Sequence, residues 1–216
     1  MQYAFFYEQN KTLSVNETIM KTLKEDVRSR IVMAARSEFV KYGYRKTSMR
    51  TISAKSGVVL GNIYNYFKTK DEILCAVLHP LLSVIGERMA SHSKGEHEEK
   101  HLDFSPQRQK DFLKEMLRFI FLYKEELRLL LFESQGTSLE NFRENFIDAQ
   151  VAISKTYMEQ VGTRVSPLFF RINASTWVTI IGEIVMNPDL RKEEVRQALA
   201  EYICYNTAGW QELIKQ

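Results

Sequence analysis

Apolar residues recur at helical spacing over residues 23–42. Ile31, Ala35 and Phe39 fall four apart, Val27, Ala34 and Tyr42 lie on neighbouring faces, and Lys24, Arg28, Arg30, Arg36 and Lys41 stand mostly off that stripe. Gly43 ends the pattern as a glycine just past a helix does. Thr47 and Ser48 offer hydroxyl caps for a short helix over 49–56, which Gly57 breaks. A third helix is predicted over about 60–67, with Lys68 as the link to a fourth. That helix opens on the capping pattern Thr69-x-x-Glu72, runs into Ile73, Leu74, Ala76, Val77 and Leu78, and carries Pro80 in its interior.

The remaining pattern is also helical. Residues 91–103 (SHSKGEHEEKHLD) read as a solvated loop. Ser105-Pro106 announces a helix to about Tyr123, with Phe112, Met116, Phe119, Ile120 and Tyr123 at three- and four-residue spacing. A leucine-rich helix over 125–133 ends at Gly136. Ser138 is placed to cap a helix over 139–161 that Gly162 closes, and Ser166-Pro167 starts another to Met186. Asn187-Pro188 is a turn, and Asp189 is placed to cap a last helix to about Ile214. About nine helices and no strand predict an all-α fold. Residues 1–19 (MQYAFFYEQNKTLSVNETI) differ in character from the basic helix beyond Met20: they are either an extension upstream of a start at Met20 or an arm that packs on the body or reaches toward a partner.

Composition sharpens this picture at a few points. Aromatics make up 12% of the 216 residues, enough for a packed core, and nine glycines with four prolines favour long helices. Cys75 and Cys204 form no CxxC pair and read as reduced residues in a cytoplasmic protein. The start lacks the basic and long apolar regions of a signal peptide. No apolar run approaches the ~18 residues that span a membrane, the longest candidate, Val178 to Met186, containing Glu183, so no membrane partner is expected. The net charge of +3 hides an asymmetry: residues 20–74 hold twelve Lys/Arg against five Asp/Glu, whereas residues 75–216 hold seventeen against twenty. A compact basic block on a mildly acidic body suits a phosphate-binding head. His92, His97 and His101, with Glu96, Glu98 and Glu99, are better read as a solvated loop than as a metal site, so neither metal nor cofactor is expected. No nucleophile–base pair or phosphate-cradling glycine loop is visible, which argues against an enzyme.

The informative stretch is TSMRTISAKSGVVLGNIYNYFKTKDEIL, residues 47–74. Two short helices flank a tight turn at Gly57, and Ile52 and Ile63 are placed to face each other, holding the second helix proud of the surface. A helix so held fits the major groove of B-DNA. The stretch resembles the TetR family of transcriptional regulators. The resemblance covers residues 31–74 and is carried by Ile31, Ala34, Ala35, Phe39, Gly43, Tyr44, Ser48, Met49, Ile52, Gly57 and Val58. Its sharpest part is the run Gly61-x-Ile-Tyr64-x-Tyr66-Phe67-x-x-Lys70-x-Glu72-x-Leu74. Ser53 and Ser56 stand where the family usually has alanine. Val59 replaces the usual serine cap, leaving the first amides of the recognition helix either to Asn62 in part or to a DNA phosphate directly, and that helix has no Arg or Lys.

The resemblance implies a helix-turn-helix DNA-binding domain over residues 20–74 and a helical ligand-binding and dimerisation body over 75–216. Thr47, Ser48, Tyr64, Tyr66 and Lys70 are the expected phosphate contacts, Arg45, Lys46 and Arg50 add non-specific attraction, and Leu60, Gly61, Asn62 and Asn65 lie nearest the bases. A small apolar or amphipathic effector would lie among Met116, Phe119, Tyr123, Phe132, Phe142, Phe146, Tyr157 and Trp177, for any one of which ordinary core packing is the better reading. The last two helices would pair with a second copy through Leu168, Ile172, Ile181, Val185, Val195, Leu199, Tyr202, Ile203 and Trp210. Glu183 binds a cationic group, pairs across that interface or sits at a solvated edge, the last two being the better readings. The implied function is a homodimeric repressor of a palindromic operator, released by the effector. The alternative keeps the DNA head on a body that serves as a protein-interaction or architectural module.

Overall fold

The computed structural model describes residues 2–93, 104–160 and 162–215, and the side chains of 20–91, 104–159 and 162–215. Among the described residues there are nine helices and no strand: α1 (Gln2–Lys46), α2 (Met49–Ser56), α3 (Leu60–Tyr66), α4 (Lys70–Ser93), α5 (Pro106–Leu122), α6 (Lys124–Phe132), α7 (Phe142–Gln160), α8 (Pro167–Met186) and α9 (Lys192–Ile214). The chain divides into two compact units, 1–77 and 78–216, the division falling within α4.

In the first unit, α1 begins at Gln2 instead of near Leu23, so the segment expected to be distinct continues the helix. Its backbone reason is local: no glycine or proline precedes Gly43, and nothing in the chain forces a break. At Gly43 the backbone leaves the helix (φ 79°, ψ 162°), a conformation that favours glycine. Ile31, Ala34, Ala35 and Phe39 of α1, Ile52 of α2, Ile63 of α3, Phe67, and Ile73, Leu74 and Val77 of α4 are all buried. They form the small apolar core on which the short helices rest.

In the second unit α7 packs on α8, α8 also on α6, and α9 on α5. Ile147, Ala174 and Val178 form a buried cluster under Phe132, Phe146 and Val151. Gly182 sets the approach of α6 to α8: a Cβ there would stand 2.7 Å from Phe132 Cζ. Arg171 of α8 ties α7 through Glu144 (2.7 Å) and Asp148 (2.5 Å), and Asn206 Nδ2 of α9 donates to Asn173 Oδ1 of α8 (2.9 Å).

Two element starts in the second unit differ from the sequence pattern, while that of α4 follows it. α7 begins at Phe142, because Ser134, Thr137 and Leu139 close a hydroxyl-rich turn first. Thr137 Oγ1 donates to Ser134 O (2.6 Å), Ser134 Oγ to Leu130 O (2.9 Å), and the Leu139 amide to Thr137 Oγ1 (3.1 Å). Such local bonds compete with helix, so Ser138 does not cap it. α9 begins at Lys192, and the Arg191 amide donates to Glu194 Oε2 (2.9 Å), so Asp189 is not its cap. α4 opens with Glu72 reaching back to the Lys68 amide (2.7 Å) while the Glu72 amide donates to Thr69 Oγ1 (3.1 Å), and it runs through Pro80.

Two helices, α4 over 70–91 and α8, are long and apolar enough by composition to cross a membrane, contrary to the sequence expectation; His79, Pro80 and Glu183 break up their apolar runs. Both put part of that apolar surface inside their units; α8 alone buries Phe170, Ala174, Val178, Ile181, Ile184 and Val185.

Candidate nucleic-acid interface

The turn joining α1 to α2 is built from polar side chains serving backbone. After Gly43, Thr47 is 3% exposed and its Oγ1 donates to Gly43 O (2.9 Å). Lys70 Nζ crosses from α4 and donates to Tyr44 O and Thr47 O, 2.8 Å each, while lying 4.0 Å from the Tyr44 ring centroid. Burial lowers the Lys70 pKa from its ordinary value and raises that of Tyr44. Thr47 and Lys70 were expected on phosphates. Within the unit their polar atoms also bond backbone carbonyls, where they hold the start of α2 in place.

Ser48 caps α2: its Oγ accepts from the Thr51 amide (3.1 Å), and Thr51 Oγ1 accepts from the Ser48 amide (3.0 Å). The Ser48 hydroxyl is therefore engaged too, although the residue is exposed. At the other end Gly57 adopts a left-handed conformation (φ 66°) and its amide donates to Ser53 O. Arg30 Nη2 donates to Ser56 O (2.8 Å), bracing this turn from α1. Ser53 Oγ donates to Val58 O (2.7 Å), and the Val58 amide donates to Ser56 Oγ (3.3 Å). The two serines that depart from the family pattern thus knit the turn. Their role was missed because they read only as mild replacements of alanine.

α3 is seven residues long, and Ile63 is its one buried residue. Gly61, Asn62, Tyr64 and Asn65 are exposed, and Leu60 and Tyr66 are half-buried. Val59 supplies no side-chain cap, as its residue type predicts, and is 77% exposed. Asn62 does not compensate: its Oδ1 accepts from Asn65 Nδ2 (3.2 Å). After α3, Lys68 Nζ donates to Tyr64 O (3.0 Å), at the end of the helix where a cation is favoured, and Arg28 lies 5.2 Å from the Phe67 ring centroid. Arg45, Lys46 and Arg50 are exposed around this surface, and Lys68 adds an exposed cation that the sequence reading did not include. The assembly can offer cations and phenols to a polyanion and a polar, uncharged helix face to base edges.

The second unit divides its expected residues differently. Among the described residues, several of the candidate effector residues meet in separate ring contacts. Trp177 packs edge-on against Phe112 (5.8 Å) and Tyr202 (4.9 Å), Phe142 stacks on Phe146 (6.2 Å), and Phe119 lies against Tyr123 (5.6 Å). Met116 is buried, and burial pushes the Tyr157 phenol up to about 12. Two hollows open on this unit. One, of about 180 Å³, is lined by Phe132, Arg143, Thr179, Gly182, Glu183 and Met186; the other, of about 290 Å³, by Lys110, Leu113, Lys114, Leu117 and Arg196.

Of the residues expected between copies, Ile181, Val185, Val195, Leu199 and Ile203 are buried within the chain itself. α8 already has α6 and α7 against it, and α9 has α5, so these apolar positions are consumed inside the unit. Leu168 (67% exposed), Ile172 (55%) and Glu183 face outward, and Tyr202 and Trp210 are half-buried. Exposed Phe169, Met186 and Tyr205 were not anticipated. Among the described residues no three His, Cys, Asp or Glu side chains group as metal ligands; the histidine-rich stretch at 92–101 lies outside the residues whose side chains are described.

Residues 31–77 match the family model for bacterial regulatory proteins of the tetR family. An HTH-type transcriptional repressor of Mycobacterium tuberculosis is 34% identical over 84 residues, 39% of this chain, so the chain matches less than half (45%) of that relative's length. Solved structures extend the likeness in fold to most of the chain. A Clostridium perfringens protein proposed as a fatty acid metabolism regulator gives a TM-score of 0.59 at 18% identity, over 82% of this chain and 97% of that one. The Pseudomonas aeruginosa protein NalD, described as the secondary repressor of a multidrug efflux pump, gives 0.57 at 17% identity, over 85% and 96%. The short helices α2 and α3, the glycine turn between them and the tyrosine-rich run up to Phe67 fall inside the matched segment, so the likeness to bacterial regulatory proteins of the tetR family rests on residues 31–77.

Proposed function

We propose that this chain is a DNA-binding transcriptional regulator that occupies a palindromic operator as a homodimer and acts as a repressor. The observation that carries the reading is α3: a short helix anchored by Ile63 alone, with Gly61, Asn62, Tyr64 and Asn65 exposed and the exposed cations Arg45, Lys46, Arg50 and Lys68 on the adjoining segments. Cations supply salt-dependent attraction to phosphates, and the helix face supplies the base contacts. The exposed apolar stripe of Leu168, Phe169 and Ile172 on α8, with Tyr205 on α9, supports pairing with a second copy. Two copies would set two heads about 34–36 Å apart on one face of DNA.

Release by a small apolar or amphipathic effector is the regulation this body supports best. The effector must prefer the conformation that fits DNA poorly. The hollow floored by Phe132 and rimmed by Arg143 and Glu183 is the place for it. A second reading has its own observation: Trp177 is wedged between Phe112 and Tyr202, as in a filled core, and a body of that kind would answer to a protein partner or to none.

The test is binding of the full chain to duplex DNA from beside its own gene, across a salt series, with Arg45→Ala plus Arg50→Ala as the control. The expected result is sequence-selective binding whose log affinity falls linearly with log salt, with a slope smaller by up to about 2 in the double variant. Binding that is weak, equal for all sequences and unchanged in the variant contradicts the proposal. DNA release on adding an apolar ligand library separates the two readings of the body.

A further inference from the structure

Within the DNA-binding reading, on which this inference rests, the arrangement of α3 assigns a role to one side chain. We infer that Asn65 reads a single adenine in each operator half-site, that Asn62 positions it, and that Gly61 leaves the room the base edge needs. Asn65 Nδ2 donates one N–H to Asn62 Oδ1 (3.2 Å). An amide so engaged keeps one N–H donor and its carbonyl oxygen. That remaining pair is the complement of adenine, whose N7 accepts and whose N6 amino group donates in the major groove. Guanine presents two acceptors there, and α3 carries no arginine or lysine to meet them.

Gly61 lies four residues before Asn65, on the same face of the helix. Its φ is not positive, and a Cβ there would meet nothing within 4 Å. Glycine in a helix costs about 0.8–1.0 kcal/mol relative to alanine. Nothing inside the unit calls for that cost, so the missing Cβ is explained by something that approaches from outside. Gly86 and Gly209 are equally open, but neither stands beside a polar pair on a short exposed helix.

The experiment selects binding sites for the full chain from a randomised duplex pool. It then measures affinity for the selected duplex with each fixed A·T pair replaced by G·C, or its adenine by 7-deazaadenine. The expected result is one adenine per half-site whose replacement weakens wild-type binding about ten- to a hundredfold. Asn65→Ala abolishes the preference at that pair and leaves preference elsewhere intact. Asn62→Ala reduces the same preference, and Asn62→Asp, which keeps the acceptor for Asn65, restores it while weakening binding to every sequence. Gly61→Ala folds with an unfolding midpoint no lower than wild type and loses the preference. If Asn65→Ala keeps the preference, or loses affinity equally on all sequences, or if Gly61→Ala reads the pair as wild type does, the inference is overturned. A wild-type chain that binds no duplex in a salt-sensitive way overturns the DNA-binding reading itself, a separate failure.

Discussion

The two units use the same helical building material for opposite ends. In the first, short helices are held by a handful of polar side chains that serve backbone groups: Lys70 on the Tyr44 and Thr47 carbonyls, Arg30 on Ser56, and the Ser48–Thr51 pair. What remains outward is a surface of cations, phenols and amides. In the second, side chains meet mainly each other. Trp177 lies between Phe112 and Tyr202, and Phe132 rests on the bare backbone of Gly182. A unit that must present a surface fixes its backbone with a few directional bonds. A unit that must hold a shape fills space. Substitutions that attack each strategy should therefore behave differently.

The largest effect is expected at Phe39, fully buried in the first unit. Phe39→Ala should cost about 3–5 kcal/mol. Hydrogen exchange should show the loss over residues 20–77, with residues 105–214 still protected; equal loss in both units would erase the distinction between them. Next comes the polar clamp. Lys70→Met keeps the apolar stem but leaves the Tyr44 and Thr47 carbonyls without their ammonium, at about 1.5–3 kcal/mol by denaturant unfolding. A variant as stable as wild type but unable to bind DNA would return Lys70 to the phosphate role first expected of it.

The packing contact of the second unit is tested by a double-mutant cycle. In a Phe132→Ala background, Gly182→Ala should stabilise by about 0.8–1.0 kcal/mol, the intrinsic helical gain. In the wild-type background the added Cβ meets the Phe132 ring, so the gain should be offset or reversed. The same gain in both backgrounds would show that the ring does not need the missing Cβ. The smallest effect is expected at Arg171, whose pairs with Glu144 and Asp148 are half-exposed or more. Arg171→Ala should leave the unfolding midpoint nearly unchanged, with any difference shrinking at high salt; a clear loss, unaffected by salt, would mean that the second unit also depends on directional polar bonds.

Most of the first unit was legible in the sequence because its signals are local. Ser48, Gly57 and Gly43 fix element ends through their own backbone or side-chain geometry, and α2 falls where those residues place it. The run from Gly61 to Leu74 is distinctive enough to carry the family resemblance. The structural role of Lys70 was not legible, because a sequence shows a cation near a helix end but not the two carbonyls 23 and 26 residues away that engage it. In the second unit helix positions were legible from periodicity, whereas the partner of each face was not. Ile181, Val185 and Leu199 carry the same apolar signal whether they meet a helix of their own chain or a second copy, and the structure buries them within the chain. α7 started later than its serine cap predicts because Ser134 and Thr137, two further hydroxyls, made the competing turn.

The claim that the first unit meets DNA through α3 is tested most directly by photo-crosslinking. p-Benzoylphenylalanine is introduced at Val59, 77% exposed at the start of α3, or in a separate protein at Leu122, 60% exposed in the second unit, and each is irradiated with duplex DNA at low salt. Crosslinks to bases from position 59 and none from position 122 are the predicted result. Crosslinks from position 122 with none from position 59 would contradict the account.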